Sequence, residues 1–258
     1  MNFQTIGILT VLGMVGGTIC MLEFGRRLGA RRLASDPEAG TGTIDGAVFG
    51  LMGLLIAFTF SGAAARFDSR RTMIVEEANS IGTAWLRLDL LLGGSQPPLR
   101  EKFRQYTDAR IAAFGKIPDM AAMKAELARA ASLQTDIWTQ AVTACRDSGS
   151  QPATMLLLPA LNQMFDVATS RTAGIQMHPP MIIYAMLGLL LLAGSLLAGY
   201  GLGLGVGRLR VWFHGLSFVL AMTLTAYVIL DFEFPRVGII RIQGFERVLV
   251  DLRQSMSP

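Results

Sequence analysis

Residues 44–92 read IDGAVFGLMGLLIAFTFSGAAARFDSRRTMIVEEANSIGTAWLRLDLLL. Within this stretch residues 47–65 carry no charge, and they are long enough to cross a bilayer as a helix. The second half then turns amphipathic with no proline or strong turn signal between. Phe67, Ile74, Ala78, Ile81, Trp85 and Leu88 recur at steps of three and four, while Arg70, Arg71, Glu76, Glu77 and Arg87 occupy the other faces. The pattern predicts one long helix that leaves a membrane and enters a water-exposed helical domain.

Composition agrees with a membrane setting. Charged residues make up 16% of the chain and hydrophobic ones 52%, whereas a soluble domain is roughly a quarter charged. The net charge of +4 comes from basic residues that mostly flank apolar runs, and no basic run interleaved with aromatics points to nucleic acid. Two cysteines supply neither a disulfide framework nor a metal spacing. No CxxC, HExxH, P-loop or nucleophile elbow occurs, so neither an enzyme nor a cofactor or metal site is expected.

Upstream, residues 3–24 form the first candidate span. Arg26, Arg27, Arg31 and Arg32 follow it without a basic n-region before it or a small-residue cleavage pattern after it, as in a retained anchor. Residues 34–43 are a polar connection. Downstream of Leu92, the run GGSQPP breaks the chain. Leu99, Phe103, Tyr106, Ile111 and Phe114 mark the next helix. Pro118 and Asp119 open another, with Met123, Leu127, Ala130, Ile137, Trp138 and Ala141 on its apolar side. After DSGSQP come Leu157, Leu161, Met164, Phe165, Ala168 and Ile175. No segment alternates as a strand, and a helical bundle is predicted.

Residues 179–204 and 211–230 are the third and fourth spans, the first of them introduced by HPP. The glycine run at 199–210 lacks the GxGxxG spacing and a preceding strand, which favours a helix end or a close helix contact over a nucleotide site. The fold class expected is therefore an all-α membrane protein with four transmembrane helices and a helical bundle between the second and third. The expected division is 1–65 for helices 1 and 2, 66–178 for the water-exposed domain, 179–230 for helices 3 and 4, and 231–258 for a C-terminal tail. Six arginines in the short connections (Arg26, Arg27, Arg31, Arg32, Arg208 and Arg210) lean toward a cytoplasmic placement of those connections. Arg66, Arg70, Arg71, Arg171, Arg236 and Arg241 flank the opposite side nearly as densely.

Candidate functional residues concentrate on the second span and on the end of the fourth. Ile56 and Phe60, one helical turn apart, could form an apolar ring that gates a pore by dewetting, against a plain packing or lipid-facing role. Gly46 and Gly50 have the spacing for close packing on a neighbouring helix. Thr59 and Ser61 can bond back to their own helix and are no sign of an ion path. Arg66, Asp68, Arg70 and Arg71 read either as a charged pore mouth or as arginines that snorkel and pair with Asp68. Glu76, Glu77 and Asn79 read as a solvated face. Asp231, Glu233 and Pro235 form an interfacial motif in which an ion pair with Arg236 or Arg66 offsets the cost of the acids. Residues 238–242 suit a short extended segment and 245–252 a short amphipathic helix. His178 and His214 are lone, and packing is favoured over metal binding.

Two of these stretches carry a family resemblance. Residues 55–71, LIAFTFSGAAARFDSRR, resemble the segment after the second span of bestrophins, where a pore-lining apolar helix meets an aromatic-Asp-Arg cluster and a long cytosolic helix. With IVEEANSIGTAWLRLDLLL (74–92) and DFEFP (231–235) added, most of the chain resembles the bestrophin-like integral membrane proteins of unknown function. That resemblance implies a pentameric ion channel with the second span lining the pore and the helical domain in the cytoplasm, opposite to the short-loop arginine count. No acidic run corresponds to the bestrophin calcium clasp.

The functional expectation is a homo-oligomeric, multi-pass ion channel of a bacterial inner membrane, handling inorganic ions and surrounded by membrane lipid. The alternative is a non-conducting membrane scaffold or sensor whose helical domain binds a partner.

Overall fold

The computed structural model describes residues 3–36, 43–117, 119–204, 208–235, 239–240 and 242–256. Within these residues the chain is all-α and no strand is present. The helices are α1 (Phe3–Ser35), α2 (Thr43–Arg87), α3 (Gln96–Gly115), α4 (Met120–Ser148), α5 (Gln151–Gln176), α6 (Met181–Gly203), α7 (Arg208–Glu233) and α8 (Arg247–Ser255). Single turns of 3₁₀ helix at Leu88–Leu90, Gly93–Ser95 and Gln243–Glu246 connect them. Among the described residues, α1, α2, α6 and α7 contain four segments long and apolar enough to cross a membrane.

The 45-residue helix α2 is unbroken, as its sequence pattern predicts. At 1.5 Å per residue it extends about 68 Å, more than twice the roughly 30 Å hydrocarbon core. Contacts divide the chain into two compact units, Met1–Phe67 with His178–Ile240, and Asp68–Met177 with Arg241–Pro258. Helix α2 contributes its first part to one and its second part to the other.

In the first unit α1, α6 and α7 pack on one another. Glycines set the distance between α1 and α6. A Cβ added to Gly25 would lie 2.0 Å from the Leu196 carbonyl oxygen, and one on Gly199 would lie 2.0 Å from that of Leu22. Gly29 and Gly203 repeat the arrangement one turn on, an added Cβ on each lying 2.2 Å from the Tyr200 and Arg26 carbonyl oxygens respectively. The pairs advance together along both chains, so the helices run parallel with their backbones in contact. In lipid, where apolar burial drives no association, such close backbone packing is what holds helices together. The reading of the 199–210 run as a close helix contact is met at Gly199 and Gly203. Gly205 and Gly207 lie outside the described residues.

The second unit follows water-soluble rules. Ile74, Ala78, Ile81, Trp85 and Leu88, assigned inward by spacing, are all buried. Asp119 caps α4 by accepting from the Ala121 and Ala122 N–H groups at 3.1 and 3.0 Å. Gly149 ends that helix in the left-handed conformation, φ 60°. Ser150 then caps α5 by accepting from the Ala153 N–H. Helix α3 packs antiparallel to α4, with Lys102 paired to Asp136 and Gln134 donating to the Tyr106 hydroxyl. The chain end returns to α3. Arg253 makes a two-pronged bond to Asp108 at 2.8 and 3.0 Å, while Leu249 and Met256 are buried. The short amphipathic helix expected at 245–252 is thus α8 with the 3₁₀ turn before it. Of the expected extended segment at 238–242, Gly238 and Arg241 lie outside the described residues. Ile239 and Ile240 form a bend.

Candidate functional site

Helix α2 is apolar on every side in its membrane half, and packing gives its faces different roles. Met52, Ala63 and Phe67 are buried toward α6 and α7. Ile56 packs on the cluster of Ala63, Leu187, Leu191, Ala226 and Ile229. The Phe60 ring meets Phe232 edge-on at 5.7 Å, and Phe67 meets the same ring at 5.3 Å. Of the two residues expected to form a constriction, Ile56 is partly covered by its own subunit, while Phe60 touches Phe232 and stays 40% exposed. The opposite face carries Leu51, Leu54 and Phe58, which are 60%, 51% and 67% exposed. Steps of three and four residues relate them, so they form one stripe. Gly46, Gly50 and Gly53 have nothing of this chain within 4 Å of an added Cβ. Thr59 bonds back to the Leu55 carbonyl at 2.8 Å, as expected.

The arginines beyond the span are held by protein groups. In the first unit Arg66 donates its Nε to Glu233 Oε1 at 2.6 Å, and its Nη2 contacts the same oxygen. Glu233 is 1% exposed, and His178 Nδ1 stands 3.9 Å from its other oxygen while stacking on Phe234. In the second unit Arg70 donates to the Gly174 and Met177 carbonyls, closing the end of α5. Arg71 bonds Asp68 at 3.0 Å and lies over the Phe245 ring at 4.2 Å. Of the four expected mouth residues, the structure pairs Asp68 with Arg71 and gives Arg66 and Arg70 separate partners.

The interfacial motif divides in the same manner. Glu233 takes the ion pair with Arg66 that its position called for. Asp231, 4% exposed, instead accepts from the Ile239 and Ile240 N–H groups at 3.0 and 2.9 Å and so caps the turn after α7. Pro235 is buried at that turn. Arg236 lies outside the described residues.

One cluster has no counterpart among the expected sites. Glu77, expected on a solvated face, is fully buried while its neighbour Glu76 is exposed. Its two oxygens are taken by Arg110 of α3 and Arg171 of α5. Arg110 also donates to the Ala168 carbonyl and Thr172 hydroxyl, both at 3.2 Å. Arg171 reaches Glu246 at 3.3 Å and lies 3.6 Å above the Phe114 ring. Burial pushes the Arg171 guanidinium below its ordinary value, and Glu77 opposes that shift. One carboxylate thereby ties together α2, α3, α5 and the turn before α8. The sequence signal was the position of Glu77 between Ile74 and Ile81 on the apolar stripe, next to Ala78.

Among the described residues, this arrangement brings together no set of nucleophile, base and acid. It offers an apolar helix face left open by its own subunit, joined to a helical unit braced by buried ion pairs. The model of the Bestrophin-like domain matches residues 13–244. The chain belongs to the bestrophin-like family. Its fold is also that of a bacterial bestrophin homolog from Klebsiella pneumoniae, solved as a crystal structure with one tyrosine changed to alanine. The TM-score is 0.67 at 14% identity, over 96% of this chain and 98% of that one. No curated protein matches the sequence. Family, fold and apolar spans together make this bestrophin-like chain a membrane protein.

Proposed function

We propose that the protein is an oligomeric ion channel, multi-pass in a bacterial inner membrane, with a pore lined by α2 of each subunit. The observation that carries this reading is the open face of α2. Leu51, Leu54 and Phe58 protrude from a helix whose other face is engaged by α6 and α7. Family membership supports it. A ring of such side chains closes a pore by expelling water, because a narrow apolar passage cannot replace the hydration of an ion. The constriction in this reading draws on Leu54 and Phe58 together with Phe60, all exposed, since side chains turned away from their own bundle can meet their symmetry mates, whereas Ile56 packs on its own subunit's cluster. A pentamer is the proposed assembly.

The test is ion flux from liposomes containing the purified protein, with its mass in detergent measured alongside. Phe58→Ala and Leu54→Ala should raise flux severalfold over the parent, while Ile56→Ala lowers stability without opening the pore. Absence of flux in parent and variants, or a monomer at working concentration, would overturn the channel reading.

A second reading has its own observation. In the water-exposed unit Leu86, Leu90, Leu92, Met155 and Leu156 are all exposed, and Arg87 bonding the Leu156 carbonyl at 2.6 Å brings their two segments together. An apolar patch of this kind suits a partner protein and supports a scaffold or sensor. A partner that co-purifies with a non-conducting protein, and is lost with Leu86→Glu, would favour it.

A further inference from the structure

Helix α1 is 33 residues long, and its first 22 described and adjoining positions to Phe24 contain one charge, Glu23. Three turns at its end then carry Arg26, Arg27, Arg31 and Arg32 against Glu23 and Asp36. A helix that crosses roughly 30 Å of hydrocarbon brings these turns out at headgroup level. The parallel glycine-mediated packing of α1 on α6 determines what else lies there. The end of α6 carries no charge, and α7 begins with Arg208 and Arg210 at the same end, where Gly215 meets Leu22 and Leu202.

The side chains on α1 face outward in a particular order. Gly25 and Gly29 turn inward against α6, leaving Phe24, Arg27, Leu28 and Arg31 on the outer side, all exposed. Phe24 is 55% and Leu28 39% exposed, and Arg27, a turn from Arg31, is 68% exposed. Glu23 accepts from Arg27 Nε at 2.8 Å and from Arg26 at 2.7 and 2.8 Å, which orients both guanidinium groups at the helix surface. Arg32 lies 3.7 Å from Asp36.

We propose that this surface is a binding site for an anionic phospholipid. The Arg27 and Arg31 forks hold the phosphate and Phe24 and Leu28 line the start of its acyl chains. Guanidinium groups match phosphate oxygens in pairs and are weakly hydrated, so they suit a partly dehydrated interface. The apolar pair below the arginines selects a lipid over free phosphate. The proposal does not depend on conduction.

The test places the full-length protein in phosphatidylcholine vesicles and compares its boundary preference for spin-labelled phosphatidylglycerol over spin-labelled phosphatidylcholine. At about fivefold per surface arginine, the conversion of about 1 kcal/mol, the Arg27→Gln/Arg31→Gln double variant should lose most of that preference. Arg129→Gln, an exposed arginine of the other unit, should keep it. Both sites are exposed, so unchanged helix content and oligomer mass confirm intact protein. Raised salt should weaken the parent's preference, and excess inorganic phosphate should leave most of it in place. The proposal is overturned by no preference in the parent, by a preference that survives the double variant, by an equal loss in Arg129→Gln, or by full displacement with phosphate.

Discussion

Arg66 and Glu233 stand 167 residues apart in the chain and form an ion pair in which the arginine is about one-third exposed and the glutamate is buried. The pair joins α2 to the end of α7 within the first unit. Removing one partner leaves a charge without compensation, and the arginine's access to water lowers the cost from the value for a fully buried pair. Arg66→Ala should therefore destabilise the protein by about 2 kcal/mol. The double variant Arg66→Ala/Glu233→Gln should recover part of the loss. Thermal unfolding in detergent of the parent, both single variants and the double variant measures the coupling. Simple addition of the two single losses would show that the pair contributes nothing of its own.

The Gly25–Leu196 crossing predicts a sharper response. An added methyl 2.0 Å from a backbone carbonyl cannot be accommodated by a side-chain rotation. Gly25→Val and Gly199→Val should separate α1 from α6 and abolish recovery of folded protein. Gly13→Ala and Gly16→Ala, with nothing within 4 Å of the added carbon, should be neutral or stabilise by up to about 1 kcal/mol through helix propensity. Yield and melting temperature of the four variants give the comparison.

Glu77 should behave unlike its neighbour. Glu77→Gln leaves two buried guanidinium groups facing a neutral amide and should cost about 3–5 kcal/mol. Glu76→Gln, at an exposed site, should stay within about 0.5 kcal/mol of the parent. Denaturant midpoints of the full-length protein decide between this and a solvated role for both acids.

Tyr106 makes the stability of the second unit fall in strong base. Burial pushes its hydroxyl up to about 12 from an ordinary 10. The folded state thus keeps a proton that the unfolded chain releases above pH 10, and this contribution is fully present below pH 10 and lost as pH rises to 12. The slope is about 1.4 kcal/mol per pH unit over that window. Tyr106→Phe forfeits the hydrogen bond from Gln134 but also the titration. Its stability deficit relative to the parent should shrink and then reverse between pH 10 and 12, as followed by chemical unfolding at fixed pH.

The sequence by itself determined the spans, the breaks between helices and the continuity of α2. Chain length against bilayer thickness, and the backbone chemistry of Gly, Pro, Asp and Ser, act locally. It also determined the inward face of α2 beyond the membrane, where Ile74, Ala78, Ile81, Trp85 and Leu88 are apolar and the other faces are charged. Water makes that contrast readable. Inside the membrane half every face of α2 is apolar, so hydrophobic periodicity carries no orientation. Only packing against α6 and α7 covered part of Ile56 and left Leu54 and Phe58 open. Tertiary structure likewise decided the burial of Glu77, because a carboxylate enters a core only where two arginines from distant helices arrive to neutralise it. It decided as well that Gly25 and Gly199 meet, since a small residue marks where a backbone can come close without naming which one does.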